Sequence, residues 1–230
     1  GCQAAHGGAA GPFTIDCLSW LRPLEAGPEV RELELALRVD AQQWTGFEIA
    51  SGGQLHCSGR IRAGAGIPPP PLALDALKAS LGADCVEGTR LYAGLRAAGI
   101  DYGPAFQAVE RVWFGRGRAL AQIALPQTMI SECEDYMLHP SILDAALHAS
   151  TVLAAAPGNQ EGAMLAFGVE RIEVFRPCRG RHWAVIRQDQ AGDATLRTLD
   201  VDLTDEHGEL VARLQGYALR PAPRACSGND

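Results

Sequence analysis

One apolar stretch, Leu138 to Ala154, constrains the fold of this chain more than any other feature. It reads LHPSILDAALHASTVLA, contains good helix formers and no glycine, and has Pro140 where a first helical turn tolerates proline. The pattern predicts a helix that is apolar nearly all round, as is typical of a helix inside a fold. Because strand-like segments precede and follow it, we expect a sheet wrapped around this helix.

Two polar residues, Asp144 and His148, interrupt the apolar surface of the predicted helix. They are four residues apart, so they lie on one helix face, one turn above the other. A carboxylate and an imidazole on an apolar face are costly unless they are partnered or used. The spacing leaves two interpretations open, a hydrogen-bonded structural pair and a functional pair.

Composition is that of an ordinary globular chain, with 230 residues, 47% of them hydrophobic and 20% charged. The net charge of −7 argues against a nucleic-acid partner and against an anionic membrane. No apolar run reaches the roughly 20 residues of a membrane span, and the N-terminus has no signal-peptide pattern. Seven cysteines are scattered singly without zinc spacing, which predicts reduced thiols in the cytoplasm and no metal site.

Strand patterns fill the chain before the helix. Val30–Val39 alternates leucine or valine with charged or small residues, as a half-buried antiparallel strand does. Three other runs are predicted as strands: Phe13–Leu21, Trp44–Ala50 and Gln54–Arg62. Gly64–Pro71 (GAGIPPPP) is predicted to be an extended, stiff linker.

The pattern after the linker predicts two short helices and then more strands. The helices are expected around Leu72–Ser80 and Glu87–Ala98. The strands are expected at Phe106–Phe114, Arg118–Leu125, Gly168–Phe175, His182–Arg187, Thr195–Leu203 and Glu209–Leu219. We therefore predict an α+β chain with tails at 1–12 and 222–230, a first half of strands over 13–63, a linker with short helices over 64–100, and a second half over 101–221 built around helix 138–154.

Four short motifs occur together in this sequence. They are Tyr102-Gly103-Pro104-Ala105-Phe106, Leu138-His139-Pro140 followed by Leu143-Asp144 and His148, the closing stretch Gly216–Pro221, and His56-Cys-Ser-Gly59. This set resembles the dehydratase domain of modular polyketide synthases, whose motifs include YGPxF and LHPxxLDxxxQ/H. The resemblance runs from about Phe13 to Pro221. It implies a double hotdog fold, in which antiparallel sheets wrap around a central helix.

The resemblance also implies chemistry on a β-hydroxyacyl thioester, carried by the phosphopantetheine arm of an acyl carrier protein. It gives Asp144 the role of the acid that helps the β-hydroxyl leave as water, and His148 the role of orienting Asp144 or that hydroxyl. The expected substrate-binding residues are Tyr102, Gly103, Pro104, Phe106 and Leu143. The implied partners are the carrier protein and adjacent domains such as a ketosynthase, with no cofactor of its own; pairing into a homodimer stays open.

One motif of the resembled family is missing from the 230 residues. The family's catalytic histidine lies in HxxxGxxxxP, whereas His6 is followed by glycines at 7, 8 and 11 but not at 10. We interpret His6 as a tail residue, and we expect no helix of comparable length on the concave face of the first half. Two functions therefore stay open: a dehydratase or related β-position enzyme, and a non-eliminating domain that positions the acyl-carrier intermediate for branching or cyclisation. A pure spacer is disfavoured, because a spacer needs no polar pair inside an apolar tunnel.

The remaining histidines have structural interpretations. We expect His139 to cap or pack at the helix start, and His56 to be a structural residue of its strand. His182 and His207 fall at a strand start and in a turn, so we expect both to contact solvent. Asp144 and His148, in contrast, are predicted to point into a solvent-open cleft within reach of Tyr102.

Overall fold

The computed structural model describes residues 11–221, except 26, 28, 29, 116, 155–163 and 189–196. The tail predicted at 222–230, His6, and all but the last two residues of the tail predicted at 1–12 lie outside the described residues. The described strands are β1 (Phe13–Trp20), β2 (Glu34–Val39), β3 (Thr45–Ser51), β4 (Gln54–Ala63), β5 (Cys85–Glu87), β6 (Val109–Gly115), β7 (Arg118–Ala124), β8 (Met164–Val174), β9 (Arg181–Gln188), β10 (Arg197–Thr204) and β11 (Leu210–Pro221).

These strands form one antiparallel sheet in the order β2-β3-β4-β1-β8-β11-β10-β9-β7-β6-β5. We call β1–β4 the first half and β5–β11 the second half. The two halves are continuous, because β1 pairs with β4 on one side and with β8 on the other. The predicted α+β class, with antiparallel strands around a helix, is confirmed.

Among the described residues, four helices and two 3₁₀ turns accompany the sheet. The helices are α1 (Leu74–Leu81), α2 (Gly88–Ala97), α3 (Pro140–Ala149) and α4 (Thr151–Ala154), and the turns span Pro104–Phe106 and Gln127–Asp135. Their main sheet contacts are with β5, β6 and β7. No helix of the described chain has the length and apolar character needed to cross a bilayer.

A helix lies where it was predicted, within residues 138–154, but the prediction of one continuous helix is wrong. It ends at Ala149, and Ser150 separates α3 from the single turn of α4. The Ser150 and Thr151 hydroxyls donate hydrogen bonds to the carbonyl oxygens of Leu147 (2.6 Å) and His148 (2.7 Å). Hydroxyls that bond back to the preceding turn compete with the helical hydrogen bonds, which accounts for the break.

α3 fills the concave inner face of the second half. Its residues Ile142, Ala145, Ala146 and Ala149 are all buried and belong to one core with the inward residues of the sheet. Three of these four contact residues are alanines, whose small side chains let the helix approach β6 and β7 closely. The position of α3, and with it the orientation of Asp144 and His148, is therefore set by the core.

The inner face of the first half is apolar but exposed. Register places Val39, Thr45 and Ile61 on the same face as Ile15 and Ile172, which continues the face that α3 covers. Yet Val39 is 75% exposed. Within the described ranges no helix lies on this face, and α1 and α2 pack on the second half instead.

A buried carboxylate joins the two halves on the outer face of the sheet. Asp16 of β1 accepts two hydrogen bonds from Arg171 of β8, at 2.8 and 2.9 Å, and a longer one from Arg60 of β4, at 3.4 Å. The hydrogen bonds from Arg171, reinforced by both positive charges, hold the pKa of Asp16 below its ordinary value against the effect of burial. Asp16 thus ties three strands across the junction.

Asp202 of β10 repeats this arrangement inside the second half. Its buried carboxylate accepts hydrogen bonds from Arg187 of β9 (2.7 Å) and from Arg213 of β11 (2.6 and 3.1 Å). Two oxygens matched by guanidinium groups on either side form the strong, oriented kind of ion pair.

The linker Gly64–Pro71 is bonded to the sheet at both ends. The Gly66 N–H donates to a carboxylate oxygen of Glu173 (3.0 Å), and the Leu72 N–H donates to the Gly208 carbonyl (2.8 Å). Gly208 has a φ of +81°, and a Cβ there would lie 2.1 Å from the Leu72 oxygen, so the turn between β10 and β11 requires glycine for this contact. The linker is therefore a fixed strap.

Candidate active site

α3 presents Asp144 and His148 on one face, as their spacing predicted. Nε2 of His148 lies 3.1 Å from Oδ2 of Asp144. The Asp144 side chain is 35% exposed, whereas that of His148 is 5% exposed. The prediction of a solvent-open position fits the carboxylate and is wrong for the imidazole, which lies behind it against aromatic rings.

The polar atoms of this pair are not satisfied by the described chain. The contact between His148 and Asp144 is close in distance but lacks hydrogen-bond geometry, and both ring nitrogens of His148 are buried without a hydrogen-bond partner among the described residues. Asp144 likewise accepts no hydrogen bond within the described ranges. Buried polar groups without a partner are costly. Nε2 of His56 and of His139 also lack a partner, so what distinguishes His148 is the partly exposed carboxylate beside it.

Tyr102 lies against the pair, as predicted. Its ring centroid is 3.9 Å from that of His148, with the ring planes inclined at 49°. Gln107 holds the segment by donating a hydrogen bond from Nε2 to the Tyr102 carbonyl (2.7 Å). Gly103 precedes the 3₁₀ turn Pro104–Phe106, which packs directly on α3. The YGPxF stretch therefore forms one border of the site.

Two other predicted binding residues lie near this border. Phe106 is 38% exposed and belongs to the 3₁₀ turn, so its prediction as the first residue of a strand is wrong; β6 begins at Val109. The proline at 104 ends the extended stretch and starts the turn. Leu143 is partly buried and packs on the core beside Asp144.

Tyr92 of α2 contacts the site through both its hydroxyl and its ring. Its hydroxyl donates to the Phe106 carbonyl and accepts from the Val109 N–H, both at 3.1 Å, and its ring meets His148 edge-on at 5.8 Å. Burial, partly offset by these backbone contacts and reinforced by Asp144, raises the pKa of Tyr92 to about 12. This hydroxyl thus uses both its donor and its acceptor within the chain, so Tyr92 has a structural role.

Tyr217 of β11 lies on the inner face of the sheet, in the core shared with α3. It is 4% exposed and its ring meets Trp20 edge-on, with centroids 6.5 Å apart. Burial, followed by the charges of Asp144 and Tyr102, raises its pKa. Burial and the Asp144 charge also raise the pKa of Tyr102. Both phenols therefore remain hydrogen-bond donors at neutral pH.

Neither Tyr92 nor Tyr217 was predicted as a site residue. No local signal marks Tyr92 in its helix, because its role depends on the loop that folds back over it. Tyr217 stands in the recognised closing stretch Gly216–Pro221, but its orientation depends on pairing with a distant strand.

The start of α3 is fixed by two polar residues. Nδ1 of buried His139 accepts a hydrogen bond from the Ser141 N–H (3.1 Å), so the predicted capping role is confirmed. Burial lowers the pKa of His139, which keeps this nitrogen available as an acceptor. Arg179 donates to the carbonyls of Cys133 (2.6 Å) and Tyr136 (3.2 Å), which secures the segment leading into the helix.

The other described histidines lie away from the pair. Nδ1 of His56 is 3.1 Å from the Pro23 carbonyl, in line with the structural role predicted for it, and His207 lies in an exposed turn as expected. The prediction that His182 contacts solvent is wrong: it is 1% exposed, 3.0 Å from the Cys178 sulfur. β9 is an interior strand of the sheet, so even its second residue is covered. Burial lowers the pKa of His182 and raises that of Cys178 to about 12.

The described part of the chain contains no cluster of three or more side chains that could hold a metal ion. The site thus consists of one carboxylate, one imidazole and phenol donors. Such groups can exchange a proton with a bound hydroxyl or hydrogen-bond to a carbonyl oxygen.

A continuous antiparallel sheet wrapped around a central helix defines a double hotdog fold, and solved structures agree. A trans-AT PKS dehydratase domain from Brevibacillus brevis superposes with a TM-score of 0.84 at 24% identity, covering 92% of this chain and 76% of that one. The dehydratase domain of RzxB from Pseudomonas fluorescens gives a TM-score of 0.80 at 24% identity, covering 96% and 81%.

Sequence comparison defines the family. The family described as "Polyketide synthase dehydratase N-terminal domain" matches residues 70–229. Polyketide synthase PksM of Bacillus subtilis (strain 168) is 29% identical over 214 residues, covering 87% of this chain and 5% of PksM. Polyketide synthase GfsB of Streptomyces halstedii is 32% identical over 211 residues, covering 89% and 4%. The chain belongs to the dehydratase-domain family of modular polyketide synthases, and it spans 5% or less of the length of these two relatives.

Proposed function

We propose that this chain acts on a β-hydroxyacyl thioester that an acyl carrier protein presents on its phosphopantetheine arm. Asp144 is the acid: its carboxyl group gives a proton to the β-hydroxyl oxygen as the carbon–oxygen bond breaks and water leaves. The proton on the α-carbon passes to a base, and the two electrons of that bond form the new double bond. The neighbouring domains of the synthase, such as a ketosynthase, supply and receive the carrier-bound chain.

One observation carries this proposal most strongly. Asp144, His148 and Tyr102 converge, yet their side-chain polar atoms form no hydrogen bonds with the described residues. His148 orients Asp144 or the leaving hydroxyl from 3.1 Å, and Tyr102 donates to the substrate. The Gly103–Pro104 turn, with Phe106 and Leu143, lines the passage for the acyl chain.

A second function is favoured by the position of the other histidines. His56, His139 and His182 each use Nδ1 in a hydrogen bond with the chain's own backbone, and no hydrogen bond or ion pair among the described residues joins any of the three to Asp144. The same site would then bind and position the acyl-carrier intermediate, for branching or cyclisation, without eliminating water.

The deciding experiment supplies a pantetheine-linked 3-hydroxyacyl thioester and follows loss of water by mass spectrometry. If the first function is right, the chain dehydrates it, and Asp144→Asn lowers the rate by about 100-fold or more, the usual contribution of an acid catalyst. Asp75→Asn, which changes an exposed carboxylate in the first turn of α1, is the matched control and leaves the rate unchanged.

Binding without water loss, weakened by Asp144→Ala, supports the positioning function instead. If the thioester is neither bound nor converted, both functions are wrong.

A further inference from the structure

A β-bulge turns Tyr217 onto the inner face of the sheet. Val201 pairs with Leu214 and Leu199 pairs with Tyr217, so β11 uses one residue more than β10 between these two pairs. Without that extra residue, the alternation of side chains would place Tyr217 on the outer face, opposite to Leu214. Bulges next to active sites commonly redirect a side chain in this way.

Gly216 makes the bulge possible. Its φ is +64°, and a Cβ there would lie 2.6 Å from the side chain of Glu170. Its N–H is held by a hydrogen bond to Oδ1 of Asp200 (2.9 Å). The chain thus fixes a special backbone conformation immediately before the tyrosine, which a residue that merely fills the core does not require.

The hydroxyl of Tyr217 differs from that of Tyr92. Tyr92 both donates and accepts within the chain. Tyr217 forms no hydrogen bond with any described residue, although the residue is 4% exposed. This hydroxyl therefore keeps its donor for a group outside the described residues. Its pairing with Leu199 and its place in the core shared with Ile142 and Ala145 put Tyr217 on the face of the sheet that α3 covers.

We propose that Tyr217 is a substrate-binding residue whose hydroxyl donates a hydrogen bond to an oxygen of the bound acyl thioester, while Trp20 holds its ring. This rests on the proposed function, because it takes the same ligand at the same site. Tyr102 contacts the thioester from the loop and Tyr217 contacts it from the sheet. Trp20 belongs to β1, so the first half contributes to the binding wall of the second.

The test compares the affinity of the full chain for two probes, 3-hydroxybutyryl-pantetheine and butyryl-pantetheine. Tyr217→Phe removes only the hydroxyl, and we expect it to weaken binding roughly 3- to 10-fold, the effect of one hydrogen bond. Tyr136→Phe is the matched control, because it removes the hydroxyl of a 40% exposed tyrosine next to His139 and leaves affinity unchanged. Weakening with both probes identifies the thioester oxygen as the acceptor, and weakening with the hydroxylated probe alone identifies the β-oxygen.

A second measurement does not depend on the folding of any variant. The chain has four tyrosines, so ¹³Cζ-labelled tyrosine gives a spectrum simple enough to follow during titration with either probe. We expect the Tyr217 and Tyr102 signals to shift while that of Tyr136 stays in place.

The outcomes separate this inference from the proposed function. If Asp144→Ala weakens binding but Tyr217→Phe binds as tightly as the unchanged chain and the Tyr217 signal does not move, the inference is wrong and the proposed function stands. If neither probe binds the unchanged chain, both are wrong.

Discussion

The two halves of the sheet present similar apolar inner faces to different surroundings. In the second half, α3 covers the face, and Ile123 and Ile186 are fully buried beneath it. In the first half, Leu37 and Val39 occupy inward positions with no described helix over them. Full burial of such a side chain contributes about 1.5–3 kcal/mol. The second half is thus stabilised by its core, which β1 joins through Ile15 and Trp20, whereas β2 to β4 depend more on strand pairing.

The largest expected effect tests this difference directly. Ile142→Ala removes a fully buried side chain from α3 and should lower the free energy of unfolding by about 3 kcal/mol, because it leaves a cavity. Leu37→Ala, its counterpart in the first half, is 47% exposed and should cost less than about 1 kcal/mol. Urea denaturation followed by circular dichroism measures both. Similar losses would mean that the inner face of the first half is covered in solution.

An intermediate effect is expected from the two buried carboxylates. Asp16→Ala and Asp202→Ala each leave two arginines without their shared partner, which costs about 1–2 kcal/mol because those arginines are partly exposed. Asp16 lies at the junction, so its loss should speed hydrogen exchange in β2–β4 and leave β6 and β7 protected. Asp202→Ala should instead speed exchange within β9–β11. Uniform changes across the sheet in both variants would show that the halves unfold as one unit.

The smallest expected effect is on the free energy of unfolding at acidic pH. The hydrogen bonds from Arg171 keep the pKa of Asp16 below its ordinary value, so the folded chain holds this proton less tightly than the unfolded chain does. The resulting stability is present above about pH 4 and is lost as pH falls through the folded-state pKa. Asp16→Asn lacks this contribution, so the gap in unfolding free energy between it and the unchanged chain should narrow from about pH 6 to about pH 2. A gap of constant size over that range would contradict the assigned ion pair.

How far the sequence predicts the molecule depends on the range of the interactions. Helical periodicity alone places Asp144 and His148 together, because four residues complete about one turn. The alternation over Val30–Val39 likewise predicts the strand β2, but β2 covers only Glu34–Val39, and its predicted half-burial is wrong because all six residues are exposed at the edge of the sheet. The short strand β5 carries almost no pattern in its three residues and exists because β6 lies beside it. The inward orientation of Tyr217 and the burial of His182 depend on partners far along the chain, which periodicity does not encode.

The strap formed by the linker limits the ways in which this molecule can open. Gly66 and Leu72 are bonded to the second half, and β1 is hydrogen-bonded on both edges, so no flexible hinge separates the halves. Rotation of one half against the other would break a ladder of backbone hydrogen bonds together with the Asp16 ion pairs. The two halves therefore keep one relative orientation, and a ligand of the proposed site would meet a frame that is already assembled.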